Sequence, residues 1–227
     1  MRILFAVLRV AVAIAIVAAI VAQLMQSVMN WTAGGVTNFA VTFTNFFSFF
    51  TIESNVATVV VCLVGAFFLL ARKGADPQWF TIFRGTIATY MIVTGVVYNL
   101  LLRGVELPQG TTVPWSNEIL HVVAPLWMLL DWLFAPGRRE LVWRTIWVII
   151  VFPIVWVIYT LIRGPLTPDE MQDKTYWYPY PFLNPNLSDN GYSSVAFYVI
   201  LIAVVVAVTA AGVVWVSKRK PLLKEPA

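Results

Sequence analysis

Charge is the scarce component of this 227-residue chain. Asp, Glu, Lys and Arg make up 11% of it, and 60% is hydrophobic. Soluble domains carry roughly 25% charged residues, so the composition excludes an ordinary soluble domain and points to an integral membrane protein, with a mean hydropathy of +0.81. Cysteine and histidine are scarcer still, one each, Cys62 and His121. A single cysteine excludes an intrachain disulfide, and one Cys with one His cannot build a metal cluster. No metal and no organic cofactor is expected. The net charge of +4 does not point to nucleic acid, because the location of the charges matters more than their sum. No repeat and no lipidation motif stands out. The length leaves room for one membrane bundle and little else.

Long apolar runs fill the rest. A span needs about 20 mainly apolar residues, and six stretches qualify: Ile3–Met25, Thr51–Ala71, Thr81–Leu102, Asn117–Phe134, Leu141–Ile162 and Ser194–Val216. The first is too long for a secretory signal, whose apolar region is about 7–15 residues, and reads as a retained span. Turn chemistry separates the runs at Gly34-Gly35, Asp76-Pro77, Pro108-Gln109-Gly110 and Pro136-Gly137. The expected fold is all-α: a single six-helix membrane domain over 1–217 and a basic tail over 218–227. Lys and Arg set the orientation. With both termini cytoplasmic, twelve of the fifteen fall on the inner side, and only Arg103, Arg163 and Lys174 lie outside. The expected location is the cell membrane, crossed several times. The longest outer segment, Arg163 to Tyr192, carries "TYWYPYPFLNPN". Its aromatics favour the membrane interface and its prolines exclude a regular helix, so it should lie across the outer face.

The polar residues of the spans gather at one depth. Thr51, Asn55, Thr58 and Cys62 follow i, i+4, i+7, i+11 and share a helix face, with Gly65 close behind. Such a stripe must avoid lipid. Asn117, His121 and Pro125 repeat the pattern at i, i+4, i+8. Pro125 donates no backbone hydrogen bond, so the carbonyl of His121 should lose its usual partner and a bend should form there. At about 1.5 Å per residue, Thr51 lies roughly 31 Å above Arg72, His121 roughly 26 Å above Arg138 and Asn99 roughly 22 Å above Arg84. Thr51, Asn55, Asn99, Asn117 and His121 therefore share the outer third of the bilayer, with Glu53, Glu118 and Arg103 near the same level.

Each residue has a plainer reading. His121 is the only side chain here with an ordinary pKa near neutrality, and an ionisable group inside a span defaults to function. Its plain alternative is a packing histidine between helices. Thr51 needs a base to act as a nucleophile, and His121 is the candidate. From spacing alone Thr51 reads first as a helix cap or a hydroxyl bonded to a backbone carbonyl. Glu53 and Glu118 could orient the histidine or pair with Arg103. Asn55, Asn99 and Asn117 could donate to an oxyanion, or serve as interhelical hydrogen-bond glue. Asp131, beside Trp132, is placed at the inner interface, where a charge costs little, with no catalytic role.

Three landmarks carry a resemblance: "SFFTIES" around Thr51; "SNEILHVVAPLWMLLDW", with Asn117, His121 and Pro125; and "WYPYPFL", Trp177–Leu183. In this order, they resemble the androgen-induced-protein / FAR-like group of six-span membrane proteins, with its bacterial six-pass branch. The loop lengths differ, and the tract "TNFAVTFTNFFSFF" before Thr51 is this chain's own. Animal members are threonine hydrolases that cleave fatty acid esters of hydroxy fatty acids. The resemblance implies Thr51 as nucleophile and His121 as general base, acting on a membrane lipid or lipid-like ester. Asn55 or Asn117 would steady the oxyanion, and "WYPYPFL" would cover the site. Two other functions stay open on the residues alone: a proton-coupled or small-molecule carrier relaying through His121, Glu118 and Glu53, and a non-catalytic scaffold or sensor. Against the carrier, the polar groups lie near one face rather than at the midplane where carriers bind.

Overall fold

The computed structural model describes residues 1–105 and 112–219. The predicted turn at Pro108-Gln109-Gly110 and the tail residues 220–227 lie outside the described residues. The chain is all-helical: α1 (Arg2–Ala33), α2 (Phe39–Phe47), α3 (Phe50–Ala71), α4 (Gln78–Val97), α5 (Pro114–Glu118), α6 (Ala124–Phe134), α7 (Thr145–Arg163) and α8 (Tyr192–Ser217). Among the described residues no strand forms beyond one isolated bridge, Asp169 to Lys174. Two π-helical turns interrupt the regular winding. Tyr98–Leu102 extends α4, and Ile119–Val123 joins α5 to α6. Among the described residues, five helices are long and apolar enough to cross a membrane: Arg2–Ala33, Phe50–Ala71, Gln78–Leu102, Thr145–Leu166 and Tyr192–Ser217. Asn117–Phe134, expected as a span, belongs to the composite α–π–α run from Pro114 to Phe134.

Some boundaries differ from expectation, and α1 runs on to Ala33, past the expected Met25. Residues 141–144 are not helical, so α7 starts at Thr145 rather than Leu141. The tract before Thr51 forms a helix of its own, α2, too short to have stood out by hydropathy. Its cap is Asn38, whose side chain accepts the Val41 N–H at 3.2 Å. Ser48 ends α2. Its hydroxyl lies 3.0 Å from the Tyr159 hydroxyl, and its carbonyl accepts the Trp156 indole N–H at 3.0 Å. The corner entering α3 is thereby tied to α7.

α1 packs along α3, and α4 sits among α3, α6 and α8. α7 and α8 lie at the perimeter and turn wide apolar faces outward. Trp147, Val151, Ile158, Phe197, Ile200 and Val208 are all exposed. Apolar surface on this scale marks an interaction face, which hydrocarbon would cover.

The end of the bundle remote from Thr51 is held by charge. Asp131, 1% exposed, receives Arg9 from α1 in a two-pronged pair, Nε at 2.8 Å and Nη2 at 3.1 Å. Arg84 from α4 donates Nε to the same carboxylate at 2.7 Å and Nη2 to the Asp131 carbonyl. Both arginines are 0% exposed. Asp131 is therefore not a cheaply solvated charge, and Arg9 and Arg84 lie inside the bundle rather than at its surface. The reason is desolvation: one charge among apolar helices must find a partner, and Asp131 binds two.

Candidate functional site

The Thr51 hydroxyl lies 3.3 Å from His121 Nε2. Thr51 stands in the first turn of α3 and does not cap it, because Phe49 occupies the cap position. The stripe Thr51, Asn55, Thr58, Cys62 and Gly65 is buried along the whole inner face of α3. His121 lies in the second π turn, and its ring is set by two contacts. Nδ1–H donates to the Asn117 carbonyl at 3.0 Å. A carbonyl only accepts, so the neutral ring carries its proton on Nδ1 and turns the Nε2 lone pair to Thr51. On its face, the Tyr98 ring stacks at 4.0 Å between centroids and 22° between planes. Tyr98 belongs to the first π turn, so both unusual turns meet at this histidine. Such turns recur at functional sites.

Pro125 explains the winding. In an α-helix it would orphan the carbonyl of His121; in the wider turn the carbonyl five residues back is that of Leu120. The Asn55 side-chain NH2 donates to it at 3.1 Å, and to the Thr51 carbonyl at 2.9 Å. α4 comes close at the same level through Gly95. A Cβ there would lie 2.9 Å from the Pro125 Cβ.

Tyr180 completes the contact. Its hydroxyl lies 3.2 Å from the Thr51 hydroxyl and accepts the Thr51 backbone N–H at 3.2 Å. With Thr51 donating to His121, the remaining proton arrangement has Tyr180 O–H donating to Thr51 Oγ1. Burial pushes the Tyr180 phenol up to about 12, so it is a hydrogen-bond donor throughout the physiological range. The segment carrying it forms two short 3₁₀ turns, Pro181–Leu183 and Pro185–Leu187, and no longer helix. It is anchored by Trp177 N–H to the Gly164 carbonyl at 3.0 Å and by edge-on contacts of Phe49 with Trp177 and Tyr180. Glu170, earlier in the same loop, accepts the Thr37 N–H at 2.6 Å and so fastens the loop to the start of α2.

The other candidates go elsewhere. Both N–H bonds of the Asn55 amide are committed to carbonyls, which removes it as an oxyanion donor. The Asn117 side chain donates to the Tyr98 hydroxyl, and its backbone holds His121. Asn99 is exposed, donating to the Gly95 carbonyl at 2.8 Å and accepting from Arg103 at 2.9 Å. Arg103 and Glu118 form an ion pair at 3.0 Å, each side chain nearly half exposed, so Glu118 does not orient the ring and Glu53 is not the arginine's partner. Neither Tyr98 nor Tyr180 stands out by spacing in the sequence. Three tyrosines, 176, 178 and 180, alternate in one aperiodic run, and no spacing rule tells which turns inward. Among the described residues no group of three His, Cys, Asp or Glu side chains comes together as a metal site would need.

Two chambers meet at Thr51. One, of about 240 Å³, lies among α4, α7 and α8; the other, of about 690 Å³, lies against α1, α5 and the second π turn. Thr51, Tyr98, Leu102 and Tyr180 line both. No family model, no curated protein and no solved structure matches the chain.

Proposed function

We propose that the protein is a membrane ester hydrolase with Thr51 as nucleophile and His121 as general base. The observation that carries this reading is the buried Thr51 hydroxyl facing a histidine lone pair whose tautomer is set from behind. This is the nucleophile–base–orienter arrangement of covalent hydrolases, with a backbone carbonyl as the orienter. The proposal includes membership of the androgen-induced-protein / FAR-like group. It also includes the topology expected from the charges: six spans, the composite Pro114–Phe134 run among them, both termini cytoplasmic, and the site in the outer leaflet of the cell membrane.

Thr51 Oγ1 attacks the ester carbonyl carbon as its proton passes to His121 Nε2. The tetrahedral oxyanion forms at the first turn of α3, where the helix dipole is positive. The Tyr180 hydroxyl is the adjacent donor, in the role first considered for Asn55. The carbon–oxygen bond to the alcohol breaks, and that alcohol takes the proton from Nε2. Water then gives a proton to Nε2 and its oxygen to the acyl carbon, releasing the carboxylic acid and returning the proton to Thr51.

The test is labelling of detergent-purified protein with a fluorophosphonate, which reacts with activated hydroxyls. Labelling is expected in the parent and in Asn99→Ala, and lost in Thr51→Ala and His121→Ala. A folded parent that does not label, or a Thr51→Ala variant that does, would overturn the reading.

A further inference from the structure

The two chambers differ in chemistry, and Thr51 stands in the wall between them. The one among α4, α7 and α8 is walled by side chains such as Val93, Ile150, Ile202 and Val206, and its polar groups cluster at the Thr51 end. Its lining includes Ile154, which is also 50% exposed on the apolar perimeter. A chain could therefore enter from hydrocarbon. The chamber follows α8 from Val199 to Ala207, about 12 Å at 1.5 Å per residue. The second chamber mixes Gln23, Ser27, Thr112, Ser116 and Asn117 with apolar side chains such as Phe46 and Leu120, and reaches the exposed Val105. Among the described residues its lining carries no charge. Gln23 spends its oxygen on the Val113 N–H at 3.0 Å, which leaves its NH2 for a ligand. The nearby cation, Arg103, is not part of the lining and is paired with Glu118.

Resting on the hydrolase reading above, we infer that the substrate is a single acyl chain esterified to a small uncharged polyol such as glycerol. The acyl chain occupies the apolar chamber and the alcohol leaves through the more polar one. A carboxylate or phosphate on the alcohol would enter a chamber whose described lining offers it no counter-charge, an expensive placement.

The experiment compares kcat/KM for three esters of one medium-length acid on the purified protein: its monoglyceride, its lysophosphatidylcholine and its ester with a hydroxy fatty acid. Fluorophosphonate labelling runs alongside. The monoglyceride should be preferred by about tenfold or more, as a site built for hydrogen-bonding hydroxyls discriminates. In Ala203→Trp, which fills the apolar chamber, the ratio of medium-chain monoglyceride to glyceryl acetate turnover should fall by about tenfold. A protein that labels at Thr51 but prefers either charged ester, cleaves none of the three, or keeps its chain-length ratio in Ala203→Trp overturns the substrate assignment and leaves the Thr51–His121 reading intact. A protein that neither labels nor cleaves overturns both.

Discussion

Removing the Asp131 carboxylate should harm this bundle more than removing any group at Thr51. In Asp131→Ala, two guanidiniums that are 0% exposed lose their common counter-ion. Arg9 forfeits both of its bonds, at 2.8 and 3.1 Å, and Arg84 its 2.7 Å bond. Leaving a buried charge uncompensated costs about 3–5 kcal/mol. For a chain of this length each kcal/mol moves the midpoint about 2–4 °C, so the melting temperature should fall on the order of 10 °C. The assay is thermal unfolding in mild detergent followed by intrinsic fluorescence, for which the chain has ten tryptophans. The companion variant Arg9→Met/Asp76→Asn/Arg84→Met/Asp131→Leu removes the charges together, including the buried Asp76 carboxylate 3.7 Å from Arg84. Replacing a buried ionic cluster with uncharged side chains is often neutral or stabilising, so the quadruple variant should melt closer to the parent than Asp131→Ala does. If the single variant melts within about 1 °C of the parent, or the quadruple variant is the worse of the two, the cluster is not the electrostatic clamp described above.

Three further outcomes follow from the site. Asn55→Ala leaves the Leu120 carbonyl without its donor and should cost about 1–3 kcal/mol in the same melt, with slower fluorophosphonate labelling because the turn under His121 loosens. Gly95→Ala places a methyl 2.9 Å from the Pro125 Cβ and should cost about 1–3 kcal/mol through overpacking, with Gly95→Ser no better. Tyr180→Phe should lower kcat about 10²-fold, in the range of a lost oxyanion donor, with little change in KM. The same variant carries a pH signature. The unfolded phenol releases its proton near 10.0 while the folded one holds it to about 12. Above pH 10 the folded state therefore binds more protons, and stability declines from pH 10 to 12. Tyr180→Phe should flatten that decline in melts recorded across the interval.

The inward stripe of α3 was legible because a helix repeats every 3.6 residues, and Thr51, Asn55, Thr58 and Cys62 fall on one face whatever the neighbours do. The same holds for Asn117, His121 and Pro125. A proline signals that a backbone donor is missing, but not how the chain winds around the gap. Whether it winds as α or π depends on Asn55 from another helix and on the close approach at Gly95, and neither lies within one turn in sequence. Asp131 was misjudged for a related reason. Its distance from the helix end suggests an interface, while its burial is decided by Arg9 and Arg84, 122 and 47 residues away. Tyr180 sits in a segment without period, where only tertiary packing picks one phenol from three. α2 was overlooked because nine residues mixing Phe with Thr and Asn are too short for a span and too apolar for a loop.

The order of the three contacting residues also bears on biogenesis. A hydroxyl at position 51, an imidazole at 121 and a phenol at 180 leave the ribosome in that sequence, and the phenol emerges 59 residues after the imidazole. A nascent chain paused before that loop is made holds Thr51 and His121 without the wall that Tyr180 contributes to both chambers. Maturation of the site thus waits on one late, proline-rich stretch.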